Sequence, residues 1–251
     1  MTVELRLLKR PELRNPHFVC GLPGSGYVGK LAVDHLINEL KAELFAEVYS
    51  DAFPPHVMIR HDGIISLVRN ELYYWKNPGE GIDLIIYTGD SQPITGTGDY
   101  EIGEKVLTLA QEFGVTNVYT FGAFITGAFT ETPKVYAAAS RADLVNRLLP
   151  HGVIMAHEGT ISGMNGLLLG LAKLEGMDAV CLLGETSGYI IDAKAAKAVL
   201  EVFRKTLSLT LDMTHLEERA KEVEALMHAI GEMQRKSAER PADKSRTGYI
   251  S

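Results

Sequence analysis

The sequence of 251 residues has few cysteines, no excess of positive charge and no long apolar run. Cys20 and Cys181 each lie in an apolar stretch that predicts a strand, so we expect buried free thiols rather than a disulfide. The formal net charge of -7 excludes the basic surface that nucleic-acid binding requires. The longest apolar run, around Leu167 to Leu171, is too short to span a bilayer. These absences predict a soluble, cytoplasmic protein that binds neither nucleic acid nor membrane.

Strand and helix patterns alternate from Phe18 to Phe203. This alternation predicts an α/β fold with a mostly parallel sheet and helices on both faces. Asp62-Gly63 between two apolar runs predicts an antiparallel hairpin within that pattern. Asp99 is predicted to cap the helix that follows it, and segments 122–132 and 184–188 are predicted loops. Glycine and polar residues follow the strands, where open α/β sheets bind their ligands.

The C-terminal part of the chain has a different pattern. Thr214 and Glu217 spell the capping box T-x-x-E. Apolar residues then recur at alternating spacings of four and three, namely Leu216, Ala220, Val223, Met227 and Ile230. This seam predicts a helix that packs either on its own domain or against another subunit. We therefore divide the chain into a core domain at 1–212, an amphipathic helix at 213–236 and a flexible tail with an apolar tip at 237–251.

One loop carries two phosphate-binding signatures and reads GLPGSGYVGK. Gly24, Gly26 and Gly29 spell G-x-G-x-x-G, whereas Gly24, Gly29 and Lys30 spell G-x-x-x-x-G-K. Both signatures direct backbone N–H groups and a helix N-terminus at an anion. Leu31 occupies the place where a P-loop needs Ser or Thr to bind magnesium, which argues against a P-loop NTPase.

The glycine loop leaves three interpretations open. A dinucleotide site needs an acidic residue about 20 positions further on, and Glu47 near that distance lies in the middle of a predicted strand. Alternatively, the glycines only permit a tight strand-to-helix turn, with Gly29 allowing close packing of helix and sheet. A third interpretation is a small-anion site at the helix N-terminus that uses Ser25 and Lys30.

Other polar residues are predicted to lie at strand ends near this loop. No pair has a spacing that demands general acid–base catalysis, and the histidines lack the spacing of a metal site. No catalytic residue, metal site or cofactor is predicted. The candidate anion or ligand pocket comprises Gly24, Ser25, Gly26, Lys30, Asp90, Gln92, Glu185 and Thr186.

Three separated motifs are similar to those of one known family. The first is the glycine loop, continued by Leu31-Ala32. The second is Gly89-Asp90-Ser91-Gln92-Pro93 with Tyr100-Glu101 beyond it, and the third is Gly184-Glu185-Thr186-Ser187-Gly188-Tyr189 with Asp192. Together they resemble the archaeal proteasome assembly chaperone family, over about Val3 to Ala225.

The resemblance implies a nucleoside-phosphorylase-like fold and a non-enzymatic chaperone or adaptor. Such proteins form homo-oligomers and bind proteasome α-subunits or related proteins. Some end in hydrophobic–Tyr–any residue, and the carboxylate of this tail meets a lysine. Here the last residues are Gly248, Tyr249, Ile250 and Ser251, so the tyrosine is one position away from that register. We expect Tyr249, Ile250 and Ser251 to bind the partner. The alternative is a ligase or phosphorylase-like enzyme that binds a nucleotide or phosphate at the glycine loop.

Overall fold

The computed structural model describes residues 2–223 and residue 225. Within them, nine strands form one sheet in the order β1-β3-β6-β7-β2-β8-β11-β9-β10, and β4 and β5 form a separate ribbon. The strands are β1 Val3–Leu7, β2 His17–Cys20, β3 Glu43–Ser50, β4 Val57–Ile59, β5 Ile65–Leu67, β6 Asn70–Trp75, β7 Leu84–Gly89, β8 Asn117–Ile125, β9 Val135–Ala139, β10 Val153–Met155 and β11 Asp178–Thr186. The helices are α1 Val28–Leu40, α2 Gly96–Glu112, α3 Ala142–Leu148, α4 Gly163–Leu174 and α5 Ala193–Thr206.

The centre of the sheet is parallel. Strand β2 pairs in parallel with β7 on one side and β8 on the other, and β8 pairs in parallel with β11. Beyond β7, strands β6, β3 and β1 are each antiparallel to their neighbour. Beyond β11, strand β9 is antiparallel to β11 and parallel to β10. The predicted α/β fold with a mostly parallel sheet is confirmed, and antiparallel strands extend both edges.

Helices cover both faces of the sheet, as predicted. Side chains of α1, α3 and α5 pack on one face, and those of α2 and α4 pack on the other. Strand β2 contributes to both cores, because Val19 points to the first face while Phe18 and Cys20 point to the second. A strand that is covered on both faces reads as a continuous apolar run, which is why HFVC shows no alternation.

The predicted hairpin is present as the ribbon of β4 and β5. Its turn is closed by the Gly63 amide, which donates to the Arg60 carbonyl at 3.0 Å. Gly63 has a φ of 78°, the left-handed region that favours glycine. The Asp62-Gly63 signal therefore identified the turn of the hairpin.

Two helix caps differ from the prediction. Thr95, not Asp99, caps α2, and its hydroxyl accepts a hydrogen bond from the Gly98 amide at 3.2 Å. Asp99 instead lies in the first turn of α2, where burial raises the pKa of its carboxyl group. The chain enters the helix four residues earlier than predicted, because Gly96 to Gly98 continue the helical turn despite their low helix propensity.

The predicted capping box at the C-terminal helix is also wrong. The Thr214 amide and hydroxyl both donate to Asp212 Oδ1, at 2.9 and 2.6 Å. Glu217 does not reach back to the start of the helix, because it pairs with Lys197 at 2.7 Å. Asp212 therefore accepts from the amide of the first helical residue, and the Thr214 hydroxyl donates to Asp212 instead of accepting from the Glu217 amide as a capping box requires.

Two segments predicted as loops begin with the last residues of strands. Strand β8 continues to Ile125 and β11 to Thr186, and the two strands stay paired in parallel up to those residues. Long-range pairing overrides the local glycine and threonine content that had predicted loops at 122–132 and 184–188. The loops therefore begin only at residues 126 and 187.

Residues 214–223 are helical. Leu216 and Ala220 are buried in the core that α1 and α5 form, so this part of the seam packs on its own domain. Met227, Ile230 and the predicted tail at 237–251 lie outside the described residues.

Candidate functional site

The glycine loop leaves β2, makes one 3₁₀ turn at Ser25–Tyr27 and enters α1. Gly26 and Tyr27 both adopt left-handed conformations, with φ of 62° and 52°. The Tyr27 amide donates to the Gly24 carbonyl at 2.9 Å, which closes the turn. The strand–turn–helix arrangement predicted from the sequence is therefore present.

Two glycines allow the start of α1 to lie directly on the sheet. A Cβ atom on Gly29 would collide with the Phe121 carbonyl oxygen of β8. A Cβ atom on Gly21 would collide in turn with the Gly29 carbonyl oxygen. The packing role predicted for Gly29 is confirmed, and Gly21 shares it.

Lys30 is turned to its own helix. Its ammonium group pairs with Asp34 one turn later, with Nζ and Oδ1 2.6 Å apart. The Thr88 hydroxyl donates to the Gly21 carbonyl at 3.0 Å, so this side of the loop is occupied by protein groups. Lys30 therefore does not join Ser25 in an anion site, contrary to the third interpretation of the loop.

Gln92 of the second motif connects the glycine loop to α4. Its side-chain Nε2 donates to the Pro23 carbonyl at 2.7 Å, and its Oε1 accepts from the Met164 amide at 2.9 Å. The nitrogen and the oxygen of the Gln92 side-chain amide thus bond to two different elements, the glycine loop and α4. The Met164 amide belongs to the first turn of α4 and would otherwise lack a partner within the helix.

Asp90 of the second motif holds the hairpin. Its carboxylate accepts two hydrogen bonds from the Arg60 guanidinium at 3.1 and 2.8 Å, and a third from the Arg69 amide at 3.2 Å. The hydrogen bond to Asp90 raises the pKa of Arg60. A bidentate pair fixes orientation as well as distance. Asp90 is therefore a structural anchor for the ribbon of β4 and β5.

The third motif closes on the first. The Asp192 amide donates to the Gly26 carbonyl at 2.8 Å, and Asp192 Oδ1 accepts from the Ala195 amide at 2.9 Å as the cap of α5. The Thr186 hydroxyl donates to the other carboxylate oxygen of Asp192 at 2.7 Å. Glu185 accepts from the Lys134 amide at 3.1 Å.

A cleft of about 600 Å³ opens beside the glycine loop. Ser25 lies at its rim with an exposed side chain. Phe124 and Tyr136 line the cleft as a stacked pair, with ring centroids 3.9 Å apart. The rest of the lining includes Gly24, Gln92, Asn165 and residues 155–163. Among the described residues that line it, none is lysine or arginine.

The candidate pocket of the sequence analysis is thus only partly assembled. Gly24, Ser25 and Gln92 meet at the cleft, while Lys30, Asp90, Glu185 and Thr186 lie outside its lining. Gly26 lies beneath the loop, beside the Thr186 hydroxyl. Sequence reasoning missed the far wall, formed by Tyr136 and residues 155–163. The polar and glycine-rich run that follows Met155 was the signal that could have found it.

The described part of the chain contains no cluster of three His, Cys, Asp or Glu side chains that could hold a metal ion. None of its helices is long and apolar enough to cross a bilayer.

The comparisons with known proteins agree with the three motifs. A family model described as the PAC2 family matches residues 18–230. The chain belongs to the PAC2 family. An uncharacterised protein of Methanocaldococcus jannaschii is 37% identical over 95% of this chain and 93% of its own length.

Two solved structures of Pyrococcus furiosus resemble this PAC2 family chain. PbaB, described as an archaeal proteasome activator, is 44% identical, covers 91% of this chain and 98% of its own, and superposes with a TM-score of 0.86. PbaA, described as an archaeal homolog of proteasome-assembly chaperone, is 29% identical over 95% of both chains, with a TM-score of 0.77.

The second and third motifs of this PAC2 family chain each form a hydrogen bond with the first motif. Gln92 binds the first motif to α4, and Asp192 binds the third motif to the first. The cleft at their junction offers hydroxyl groups, backbone amides, an aromatic pair and His157, and none of its described lining residues is lysine or arginine.

Proposed function

We propose that this chain is a non-enzymatic, homo-oligomeric chaperone or adaptor that binds proteasome α-subunits in the cytoplasm. The observation that carries the proposal is the mutual engagement of the three motifs. Their side chains Asp90, Gln92, Thr186 and Asp192 hold hairpin, loop and helix in place, which supports a structural role for these residues. Similarity to PbaB and PbaA over nearly the whole chain supports the same role.

We propose that Tyr249, Ile250 and Ser251 make the contact with the α-subunits. An aromatic residue next to an aliphatic one, after a charged segment, is the composition of a docking peptide. The helix that begins at residue 214 would carry these residues away from the core domain. The division into a core at 1–212, a helix at 213–236 and a tail at 237–251 belongs to the same proposal.

The test is direct binding to purified archaeal proteasome α-subunits. We expect the wild-type chain to bind, and Tyr249→Ala to weaken binding at least about tenfold, as for a buried aromatic anchor. Tyr189→Ala is the matched control, because Tyr189 is an exposed tyrosine on the core. If neither the wild-type chain nor any variant binds α-subunits, the proposal fails.

The enzyme alternative has its own measurement. A ligand at about 100 times its dissociation constant stabilises a protein by about 2.7 kcal/mol. We expect no such stabilisation by ATP, NAD or inorganic phosphate, because Lys30 is paired with Asp34 and the described cleft lining contains no lysine or arginine. Saturable stabilisation that Ser25→Ala abolishes would instead favour a nucleotide or phosphate site at the glycine loop.

A further inference from the structure

The cleft beside the glycine loop lies where the chain leaves the centre of the sheet in two directions. After β2 the chain passes through α1 to β3 on one side, and after β8 it passes to β9 on the other side. Strands β2 and β8 are parallel neighbours, so their carboxyl ends lie side by side where the two paths separate. Open α/β sheets bind ligands in the crevice at such a point. The position of the cleft therefore favours a binding site.

The floor of the cleft is an apolar face of the sheet. It is formed by the neighbouring strands β8, β11 and β9, which contribute Gly122, Phe124, Leu183, Tyr136 and Ala138. Leu183 is the register partner of both Gly122 and Tyr136, so these residues share one face. The stacked rings of Phe124 and Tyr136 lie at 16° to each other, and both side chains are half-buried. The floor therefore offers an aromatic surface on which a planar ring can stack.

Beside this floor, the last part of β8 has an open edge. Strand β8 pairs with β2 only up to Thr120, although it pairs with β11 up to Ile125. In the described chain no other strand pairs with β8, so its end has no strand partner on the side of the glycine loop. The Phe121 carbonyl in this stretch accepts from the Asn165 side chain at 2.8 Å, and residues 122–125 line the cleft. Because a strand residue directs its N–H and C=O to the same side, this edge can both donate and accept hydrogen bonds.

The described walls of the cleft are polar and contain no lysine or arginine. Hydroxyl groups come from Ser25, Thr160 and Ser162. Glu158 also belongs to the lining, and it directly follows His157, so a proton on that imidazole would be balanced by the neighbouring carboxylate. A phosphate group buried here would lack a cationic partner and would be repelled by Glu158, which costs free energy. The walls therefore favour an uncharged ligand that carries hydroxyl groups.

We propose that this cleft binds an uncharged planar heteroaromatic compound with the chemistry of a free nucleobase or nucleoside. The ring stacks on Phe124 and Tyr136, and its N–H and C=O groups pair with the open edge of β8. Hydroxyl groups of an attached sugar meet those of Ser25, Thr160 and Ser162. The cleft volume of about 600 Å³ lies within the range of about 300–1,000 Å³ that is usual for small-molecule sites. This site goes beyond the proposed function, which does not require it.

The first experiment titrates the full wild-type chain with nucleosides in a calorimeter. The probes are uridine, cytidine, adenosine and inosine, and each is compared with its own 5′-monophosphate. We expect saturable binding of at least one nucleoside, and at least about tenfold weaker binding of its monophosphate, because the buried phosphate would be unpaired. The proposal is overturned if none of these nucleosides binds at concentrations up to about 5 mM. A monophosphate that binds as tightly as its nucleoside also overturns it.

The second experiment tests the location of the site with variants that keep or remove an aromatic ring. Tyr136→Phe keeps the ring and Tyr136→Leu removes it, while Tyr74→Leu is the matched control at a half-buried tyrosine of β6 outside the cleft lining. We expect Tyr136→Leu to raise the dissociation constant of the nucleoside at least about fivefold through lost stacking, and the other two variants to change it less than about twofold. Phe124→Leu carries the same expectation and replaces Tyr136→Leu if that variant does not fold. An unchanged dissociation constant in the variant that lacks the ring overturns the proposed site.

Binding of the same wild-type preparation to α-subunits separates this inference from the proposed function. A chain that binds a nucleoside but no α-subunit keeps the site and loses the proposed partner. A chain that binds α-subunits but none of the nucleosides keeps the partner and loses the site.

Discussion

At the scale of single residues, Gly29 has the tightest surroundings in the glycine loop. Its Cα faces the Phe121 carbonyl oxygen, and a methyl group would occupy the same space. The helix cannot shift outward without breaking the contact between Gly21 and the Gly29 carbonyl group. Glycine is therefore required at this position for packing, whether or not the loop binds a ligand.

We predict that Gly29→Ala lowers the free energy of unfolding by about 1–3 kcal/mol, the usual cost of overpacking. Gly170→Ala is the matched control, because Gly170 lies in α4 with no atom near the position of a Cβ. There, alanine should stabilise the protein by up to about 1 kcal/mol through helix propensity. Urea unfolding measures both, and equal stability of Gly29→Ala and wild type would contradict the packing argument.

A second residue with an unusual environment is His17 at the start of β2. Its ring stacks on Tyr119, with centroids 5.9 Å apart, and its Nδ1 is buried without a hydrogen-bond partner. Burial lowers the pKa of His17 to about 4. The folded state therefore keeps this imidazole neutral at pH values where the unfolded chain protonates it.

The sign of the pH effect follows from this difference. Between the folded pKa of about 4 and the unfolded value near 6.5, the unfolded chain binds more protons, so stability falls as the pH falls. We predict that His17 accounts for a loss of about 2 kcal/mol between pH 7 and pH 4.5. Urea unfolding of wild type and His17→Phe at both pH values isolates this contribution, because the other titrating groups are common to both. Parallel pH profiles would rule it out.

At the scale of secondary-structure elements, Gln92 decides how the loop and α4 meet. The side-chain amide of Gln92 donates a hydrogen bond to the Pro23 carbonyl of the loop and accepts one from the Met164 amide of α4. Asp192 connects the first motif to α5 in a similar way, because its amide donates to Gly26 and its carboxylate accepts from Ala195. Elements that are far apart in sequence are thus fixed by single polar side chains.

We predict that Gln92→Ala costs about 1–3 kcal/mol, because it leaves two backbone groups without partners. Gln92→Glu separates the two bonds, since a carboxylate can still accept from the Met164 amide but cannot donate to Pro23. Amide hydrogen exchange at Met164 should accelerate in Gln92→Ala and stay near the wild-type rate in Gln92→Glu. Acceleration in both variants would show that the Pro23 bond alone holds the turn.

The sequence predicted the elements better than their ends. Apolar periodicity identified α1, α5 and the buried strand β2, because burial on one face or two dictates where apolar residues stand. It could not place the ends of β8 and β11, since their pairing partners lie about 60 residues apart in the chain. The predicted helix caps were wrong because several neighbouring residues could supply the oxygen that accepts from the first amides of the helix. Thr95 and Asp212 are the residues that do so.

The candidate site was likewise predicted only in part. Gly24, Ser25 and Gln92 could be assigned to one end of the sheet because they follow neighbouring strands. Lys30 and Asp34 have the i,i+4 spacing of a helical ion pair, so this pair could have been read from the sequence. The partner of Asp90 could not be foreseen, because Arg60 approaches Asp90 only through the fold of the hairpin. Side-chain type and position predicted where polar groups lie, but not which of them would already be paired.

At the scale of the whole molecule, the first turns of the C-terminal helix pack on the core domain. Leu216 is buried against the core of α1 and α5 although it belongs to the C-terminal helix. The His35 Nε2–H donates a hydrogen bond to the Asp212 carbonyl oxygen, 2.7 Å away, and the His35 ring stacks on His215. The start of the helix is thus part of the core in its packing.

We predict that Leu216→Ala lowers the free energy of unfolding by about 2–4 kcal/mol, as expected for a large-to-small change at a buried site. Leu174→Ala, at an exposed position, should change it by less than about 0.5 kcal/mol. Both are measured by urea unfolding at one protein concentration. Two variants of equal stability would mean that the helix is dispensable for the fold.

The central place of β2 sets the order in which the chain can fold. β2 ends at Cys20, yet its partners are residues 84–87 and 117–120. A ribosome that adds about 5–20 residues per second needs about 5–20 s to pass from the first strand to the last of these partners. Strand β7 becomes available first, so β2 has no partner strand until residues 84–87 are made and stays open on its other side until residues 117–120 follow. Refolding in vitro should be slow for the same reason, because distant pairing must precede closure of the sheet.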